Sequence, residues 1–293
     1  MKRNDKVLSI SHDDMDGAVC SIILKEVFEN ITLISSSNKD IESYLRNVDF
    51  DKWDWVILTD IYPDKYLKEL ANENLIMLDH HKSNPYHNPK NKMFVKTDVS
   101  GALLTKMFFE KKFSLDLSHL SELVKFTNDY DLWQHKFKES KRLNIVFWKY
   151  YADRFIKRFS KGFDGFTKNE MIFIESQEKA FFDVLENLEV FVYPNTKIVL
   201  FMGDEFVNEI CENLMYEEGF AVVFAYNTRN KRISLRGKNE KVDLGKIVTG
   251  FGWGGGHPNA AGMVECDSDE MRKRLDQVVD HLKENFSEFV SDS

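Results

Sequence analysis

Three short apolar runs near the start of the chain end alike, and that shared ending limits the fold more than any other feature. Residues 6–10, 55–59 and 75–78 are four- or five-residue runs with little polar alternation, and each leads into Asp or His. Such runs suit central strands of a parallel sheet covered on both faces. Residues 17–29, 100–113 and 118–126 have helical apolar spacing, and residues 31–35 read as a further strand. Strands alternating with helices give a layered α/β domain. In open α/β sheets ligands bind beyond the carboxyl ends of the strands. The Asp- and His-rich segments therefore fall where a site belongs.

Those segments have the composition of a metal centre. His12, Asp14 and Asp16 alternate in a loop between a strand and a helix, and alternate loop residues can converge on one point. Gly17 follows, where the backbone can turn tightly. Asp60 arrives from a neighbouring strand end and has the two oxygens needed to bridge two cations. Asp79 and His80 arrive from a third strand, and Asp129 from a helix end. Any one of these Asp residues alone reads as a helix cap. Together they do not, because so many carboxylates at adjacent strand ends repel one another unless a cation sits among them. Asp131 reads either as an orienting residue or as a cap. Imidazole mixed with carboxylate suits Mn²⁺ or Mg²⁺ better than structural zinc. Two such ions roughly 3.5–4 Å apart suit water attack on a phosphoester.

Composition narrows the partners. The 293 residues are 43% hydrophobic, which is globular, with room for one large domain or two ordinary ones. No apolar run approaches the ~18 residues of a membrane helix, and the first residues do not read as a signal peptide. Three widely spaced cysteines follow no zinc pattern, so a reduced, cytoplasmic setting is expected. The net charge of −8 argues against a broad duplex-DNA binder. Charge is segregated, however: residues 136–161 hold nine Lys or Arg against two acids, interleaved with Phe and Tyr. That pattern is either a helix with a solvated basic face or a single-strand channel.

A second α/β pattern opens after the Tyr193-Pro194-Asn195 turn, with strands expected at 198–201, 220–226 and 232–236 and a helix near 205–216. A mostly helical stretch is expected to lead up to about residue 192. Beyond lies Gly254-Gly255-Gly256-His257, which is neither a Walker loop nor a dinucleotide fingerprint. It reads either as a tight turn or as a loop whose amides cradle an anion. His257 and Arg236 stand ready to contact a phosphate.

Taken together, His12-x-Asp14-x-Asp16-Gly17, Thr59-Asp60, Asp79-His80-His81, Asn128-Asp129 and the Gly-Gly-Gly-His run with its Ala-Ala-Gly ending resemble the motifs of the DHH phosphoesterase superfamily. The last run resembles the DHH-associated C-terminal domain of RecJ-type exonucleases and nanoRNases. The resemblance implies an α/β protein of two lobes. These are a parallel-sheet DHH domain over residues 1–160, a helical connector over 161–195 and a smaller DHH-associated domain over 196–293. It implies His12, Asp14, Asp16, Asp60, His80 and Asp129 as ligands of two Mn²⁺ ions, with Mg²⁺ as the alternative. Asp60, Asp79 and His81 become catalytic residues, with His81 near the substrate phosphate. Arg236, Gly254, Gly255, Gly256 and His257 become substrate-binding residues. The implied reaction is hydrolysis of short single-stranded RNA or DNA to nucleoside monophosphates, with no membrane partner and the oligomeric state open. Alternatives are a cyclic or linear dinucleotide phosphodiesterase, a 3′-phosphoadenosine-5′-phosphate phosphatase, a RecJ-type single-stranded DNA exonuclease and a non-catalytic nucleotide-binding protein.

Overall fold

The computed structural model describes residues 1–63, 65, 67–238 and 242–286, with the side chain of residue 257 outside that set. The chain forms two compact units, Met1–Gln177 and Glu178–Ser293.

The first unit is built on a parallel five-stranded sheet. Its strands are β1 (Lys6–His12), β2 (Asn30–Ser36), β3 (Trp55–Thr59), β4 (Leu75–Asp79) and β5 (Met93–Val95), in the order β2-β1-β3-β4-β5. Alternate residues of each strand face opposite sides. Val7, Ile57, Ile76 and Leu78 join one apolar cluster. Leu8, Ile10, Val56, Leu58, Leu75 and Met77 join another. Both faces are thus buried, which accounts for the unbroken apolar runs; each such side chain contributes about 1.5–3 kcal/mol.

Helices α1 (Met15–Val27), α3 (Gly101–Phe113), α4 (Ser121–Asp131) and α5 (Lys138–Arg158) pack on the first face, and α2 (Ile41–Asn47) on the second. Strand β5 and helix α2 are too short to stand out in the sequence. Helix α6 (Lys168–Glu186) follows a linker secured by buried Glu170, which accepts from Arg158 Nε at 2.9 Å and the Thr167 amide at 2.6 Å.

The second unit holds a mixed six-stranded sheet, β10-β11-β9-β8-β7-β6. Its strands are β6 (Val190–Val192), β7 (Ile198–Met202), β8 (Val222–Asn227), β9 (Arg232–Gly237), β10 (Gly254–His257) and β11 (Ala260–Met263). Only β7 and β8 pair in parallel. Helices α8 (Leu244–Gly250) and α9 (Ser268–Asn285) cover one face, and α7 (Val207–Tyr216) covers the other. Residues 190–192, expected to end a helical stretch, form β6 instead, because Val-Phe-Val suits a pleated edge. The two-lobed α/β class expected from the sequence is the observed one.

Candidate metal centre

Register aligns the site. Ser11 of β1 pairs with Thr59 of β3, and Thr59 pairs with Leu78 of β4. The next residue of each strand is His12, Asp60 or Asp79, so all three emerge in one row at the carboxyl edge. Asp60 leaves β3 with φ of 59°, in the left-handed region that Asp tolerates better than most residues. Its amide still donates to the Leu78 carbonyl at 2.9 Å, which ties the turn to β4.

Asp14 caps α1, accepting from the Gly17 amide at 3.0 Å, and its other oxygen lies 2.7 Å from His12 Nδ1. Burial works to raise the Asp14 carboxyl, but the bond to His12 prevails and holds it at about 2. Gly17 is required here, since a Cβ would fall 2.1 Å from the His12 carbonyl oxygen. Asp16, in the first turn of α1, is buried and accepts from the Gly101 and Ala102 amides at 2.6 and 3.0 Å. Those amides are the first of α3, whose cap is Ser100. Burial, and then the Asp14 charge, still push the Asp16 carboxyl up to about 6.

His80 closes the cluster. Its Nε2 lies 3.0 Å from Asp60 Oδ1, 3.3 Å from Asp131 Oδ2 and 3.9 Å from Asp16 Oδ2. Burial, then the neighbouring His81, lower its pKa to about 4, so the ring is neutral and offers a lone pair. Burial, and then the charges of Asp16 and Asp14, raise Asp60 and Asp131 well above the usual carboxylate range. His80 Nε2, Asp60 Oδ2 and Asp131 Oδ2 are buried and make no hydrogen bond of acceptable geometry. Buried polar atoms that converge without bonding one another are what a cation would satisfy. Three overlapping groups offer suitable atoms: His12, Asp14 and Asp60; Asp16, His80 and Asp131; and Asp60, His80 and His81. The donors are hard oxygens with imidazole nitrogens and fit Mn²⁺ or Mg²⁺.

Two expected residues stand outside these groups. Asp129 is buried and turned toward the start of α5, where it accepts from the amides of Lys136 and Phe137 and from Ser140 Oγ at 2.6 Å. Asp131 stands in the cluster in its place. Asp79 is also buried; it accepts from Asn84 Nδ2 at 2.6 Å and lies 2.8 Å from His81 Nδ1. Burial opposes ionisation of this pair, but their hydrogen bond lowers Asp79 and raises His81. Asp79 therefore positions His81 and is not itself turned to the cluster. The Gly101 and Ala102 amides that hold Asp16 are a further part of the candidate site; their only sequence signal is a capping Ser before an apolar helix.

In the second unit the glycine run is strand β10, not a loop. His257 pairs with Ala260, and Ala260 pairs with Arg236, so the three share one row. The side chain of His257 lies outside the described residues. A Cβ on Gly254 would fall 2.0 Å from the Gly262 carbonyl, and one on Gly256, with φ of 150°, 2.4 Å from the Ala260 carbonyl. The glycines thus allow close strand approach. β10 is an edge strand, so its outer backbone groups pair with no strand of the sheet. Gly255 has more room, its nearest neighbour being Thr249 Oγ1 at 3.4 Å. Arg236 donates to Asn208 Oδ1 at 3.0 Å and to the Leu235 carbonyl at 2.9 Å.

Residues 202–288 match the DHHA1 domain family. Over 298 aligned positions the chain is 24% identical to oligoribonuclease NrnB of Bacillus subtilis (strain 168), covering 88% of this chain and 72% of that protein. The fold is similar to the pGpG-specific phosphodiesterase PggH of Vibrio cholerae, with a TM-score of 0.61 at 16% identity over 94% of this chain and 99% of that one. It is also similar to RecJ of Thermus thermophilus in complex with Mn²⁺, with a TM-score of 0.63 at 14% identity. That match covers 99% of this chain and 54% of the RecJ chain.

Proposed function

We propose that this chain is a DHH phosphoesterase, a reading supported by the DHHA1 match of residues 202–288 and the likeness to oligoribonuclease NrnB, and that it is a metal-dependent nuclease that hydrolyses short single-stranded oligonucleotides to nucleoside monophosphates. The observation that carries the reading is the convergence of His12, Asp14, Asp16, Asp60, His80 and Asp131, with buried atoms of Asp60, His80 and Asp131 left unbonded. These six residues would hold two divalent ions, Mn²⁺ by preference, with Asp60 shared because it belongs to more than one group. When bound, such ions supply positive charge that polarises a phosphoryl oxygen and acidifies water.

The chain's own residues do the remaining work. The α3 amides and the Gly17 amide fix the Asp16 and Asp14 carboxylates, so little reorganisation accompanies substrate binding. Asp79 holds His81 by Nδ1, which favours the protonated ring and leaves Nε2 to contact a phosphoryl oxygen or give a proton to the leaving group. Arg236, the edge amides of β10 and His257 would hold the terminal phosphate.

A linear dinucleotide is the second reading, favoured by the end-to-end likeness to PggH, whose chain is matched over 99% of its length. Incubation with Mn²⁺ and end-labelled RNA and DNA separates the two, from dinucleotides to about 25-mers, longer than the ~4–16 nucleotides one strand-binding module covers. Fast cleavage confined to the shortest oligomers supports the proposal, and cleavage of the dinucleotide alone supports the second reading. Preferred degradation of the longest strands refutes both.

A further inference from the structure

A cavity of about 410 Å³ lies between α1, β2 and the later half of α5 in the first unit. It opens beside the metal cluster, at His12 and Gly17, and runs toward Lys25 and Lys157. On α1, Gly17, Ser21 and Lys25 lie four residues apart on one face. At ~1.5 Å per residue, Lys25 lies about 12 Å from Gly17 along the helix. Leu33, Ile34 and Ile156 make the walls apolar, and small residues at Gly17, Ala18 and Ala152 leave the space open.

The charges at the far end are unspent. Lys25 and Lys157 are exposed, and neither ammonium group has an ion-pair partner among the described residues. Asp153 is the one acidic residue among those that line the cavity. The α5 wall is also set apart from the rest of its helix. Tyr151, just before Ala152, breaks the helix with φ of 53° and ψ of 178°. A non-glycine residue held there is strained, and such strain clusters at binding sites.

We propose that this cavity is a nucleotide subsite, which takes the residue of the strand adjoining the phosphate at the cluster. The base packs between the β2 and α5 walls, and Lys25 with Lys157 holds the next phosphate as point charges. The volume falls within the ~300–1,000 Å³ of small-ligand sites. The inference rests on the reading of the cluster as a phosphodiester-cleaving centre, and it deepens that reading. Recognition then spans two phosphates, so a trinucleotide binds more tightly than a dinucleotide.

Equilibrium binding of a fluorescein-labelled trinucleotide, with Ca²⁺ neutralising the carboxylates, tests the subsite without turnover. Two variants attack it independently: Lys25→Ala with Lys157→Ala removes exposed charge, and Ala152→Phe fills the space. The expected result is a Kd raised tenfold or more in each. A Kd within threefold of wild type in either folded variant overturns the subsite, as does a wild type that binds no trinucleotide. Mn²⁺-dependent hydrolysis is measured separately. Binding that responds to both variants in a protein that hydrolyses nothing supports the subsite and refutes the hydrolase reading.

Discussion

Replacing Asp60 by Asn should make the metal-free protein more stable, although the residue lies at the heart of the proposed site. Asp60 is 1% exposed, and Asn tolerates its left-handed backbone at least as well. The magnitude can be scaled from Asp16, whose carboxyl rises from 3.8 to about 6 through burial and the Asp14 charge. A shift of about 2 units makes ionising that one group cost about 3 kcal/mol. The folded pKa is the higher one. The penalty is therefore absent below about pH 4, grows as pH rises from 3.8 to about 6 and is complete above that.

Asp60 is raised in the same direction, by burial and then by Asp16, Asp14 and Asp131, so it carries a share of the same sign at pH 7.5. Asn removes that share but leaves a buried amide short of partners, at about 1–2 kcal/mol. The net gain raises Tm, at roughly 2–4 °C per kcal/mol for a unit of this size. Saturating Mn²⁺ should reverse the order. Wild type gains about 2.7 kcal/mol per ion at a hundredfold excess over Kd, and the variant gains little. The assay is thermal unfolding followed by circular dichroism at pH 7.5, in EDTA and in MnCl₂. A variant that melts below wild type in EDTA refutes the claim of electrostatic crowding. A wild type that Mn²⁺ leaves unchanged refutes the metal centre.

Three further outcomes follow from the same geometry. Gly101→Ala places a Cβ 2.7 Å from Asp60 Cβ and 2.9 Å from Asp16 Oδ2, and should weaken Mn²⁺ binding about 10–100-fold in a titration while the far-ultraviolet spectrum stays unchanged. Asp131→Asn should abolish the Mn²⁺-induced rise in Tm, whereas Asp129→Asn should keep it and lower Tm in both buffers through a loss of about 1–2 kcal/mol at the start of α5. Glu170→Gln should cost about 1–2 kcal/mol in denaturant unfolding by removing the buried charge that Arg158 bonds, with Asp164 left as its remaining counter-ion. Burial opposes ionisation of Glu170, but the Thr167 amide and Arg158 hold it below 4.5, so its contribution is present above that pH and is lost as pH falls through the lower folded value.

Much of the candidate site was legible because parallel strands buried on both faces announce themselves, and their ends locate the candidate ligands. His12, Asp60 and His80 follow directly from that rule. The choice between Asp129 and Asp131 did not, because it depends on which face of α4 meets the sheet. Residues two positions apart on a helix lie about 200° apart around its axis, so one carboxylate faces the cluster when the other faces α5. The clamp on Asp16 comes from backbone amides, which any residues supply. The glycine run stood out in the sequence but not as a strand, since glycine is depleted in strands. Only the distance to the Gly262 and Ala260 carbonyls explains it. Strand β6 and helix α2 are too short for periodicity to speak.

The row formed by His12, Asp60 and Asp79 has a kinetic corollary. These residues belong to separate strands, and the Ser11–Thr59 contact behind them joins positions 48 apart in the chain. No local segment could bind divalent ions in this arrangement during folding. A slip of β3 by one residue would present Thr59 or Ile61 where Asp60 stands and turn its side chains to the wrong face. Ion capture thus comes after the long-range pairings that set the folding rate. Occupancy would accordingly stabilise only chains whose central strands are already aligned, so a divalent ion added during refolding should slow unfolding more than it speeds folding.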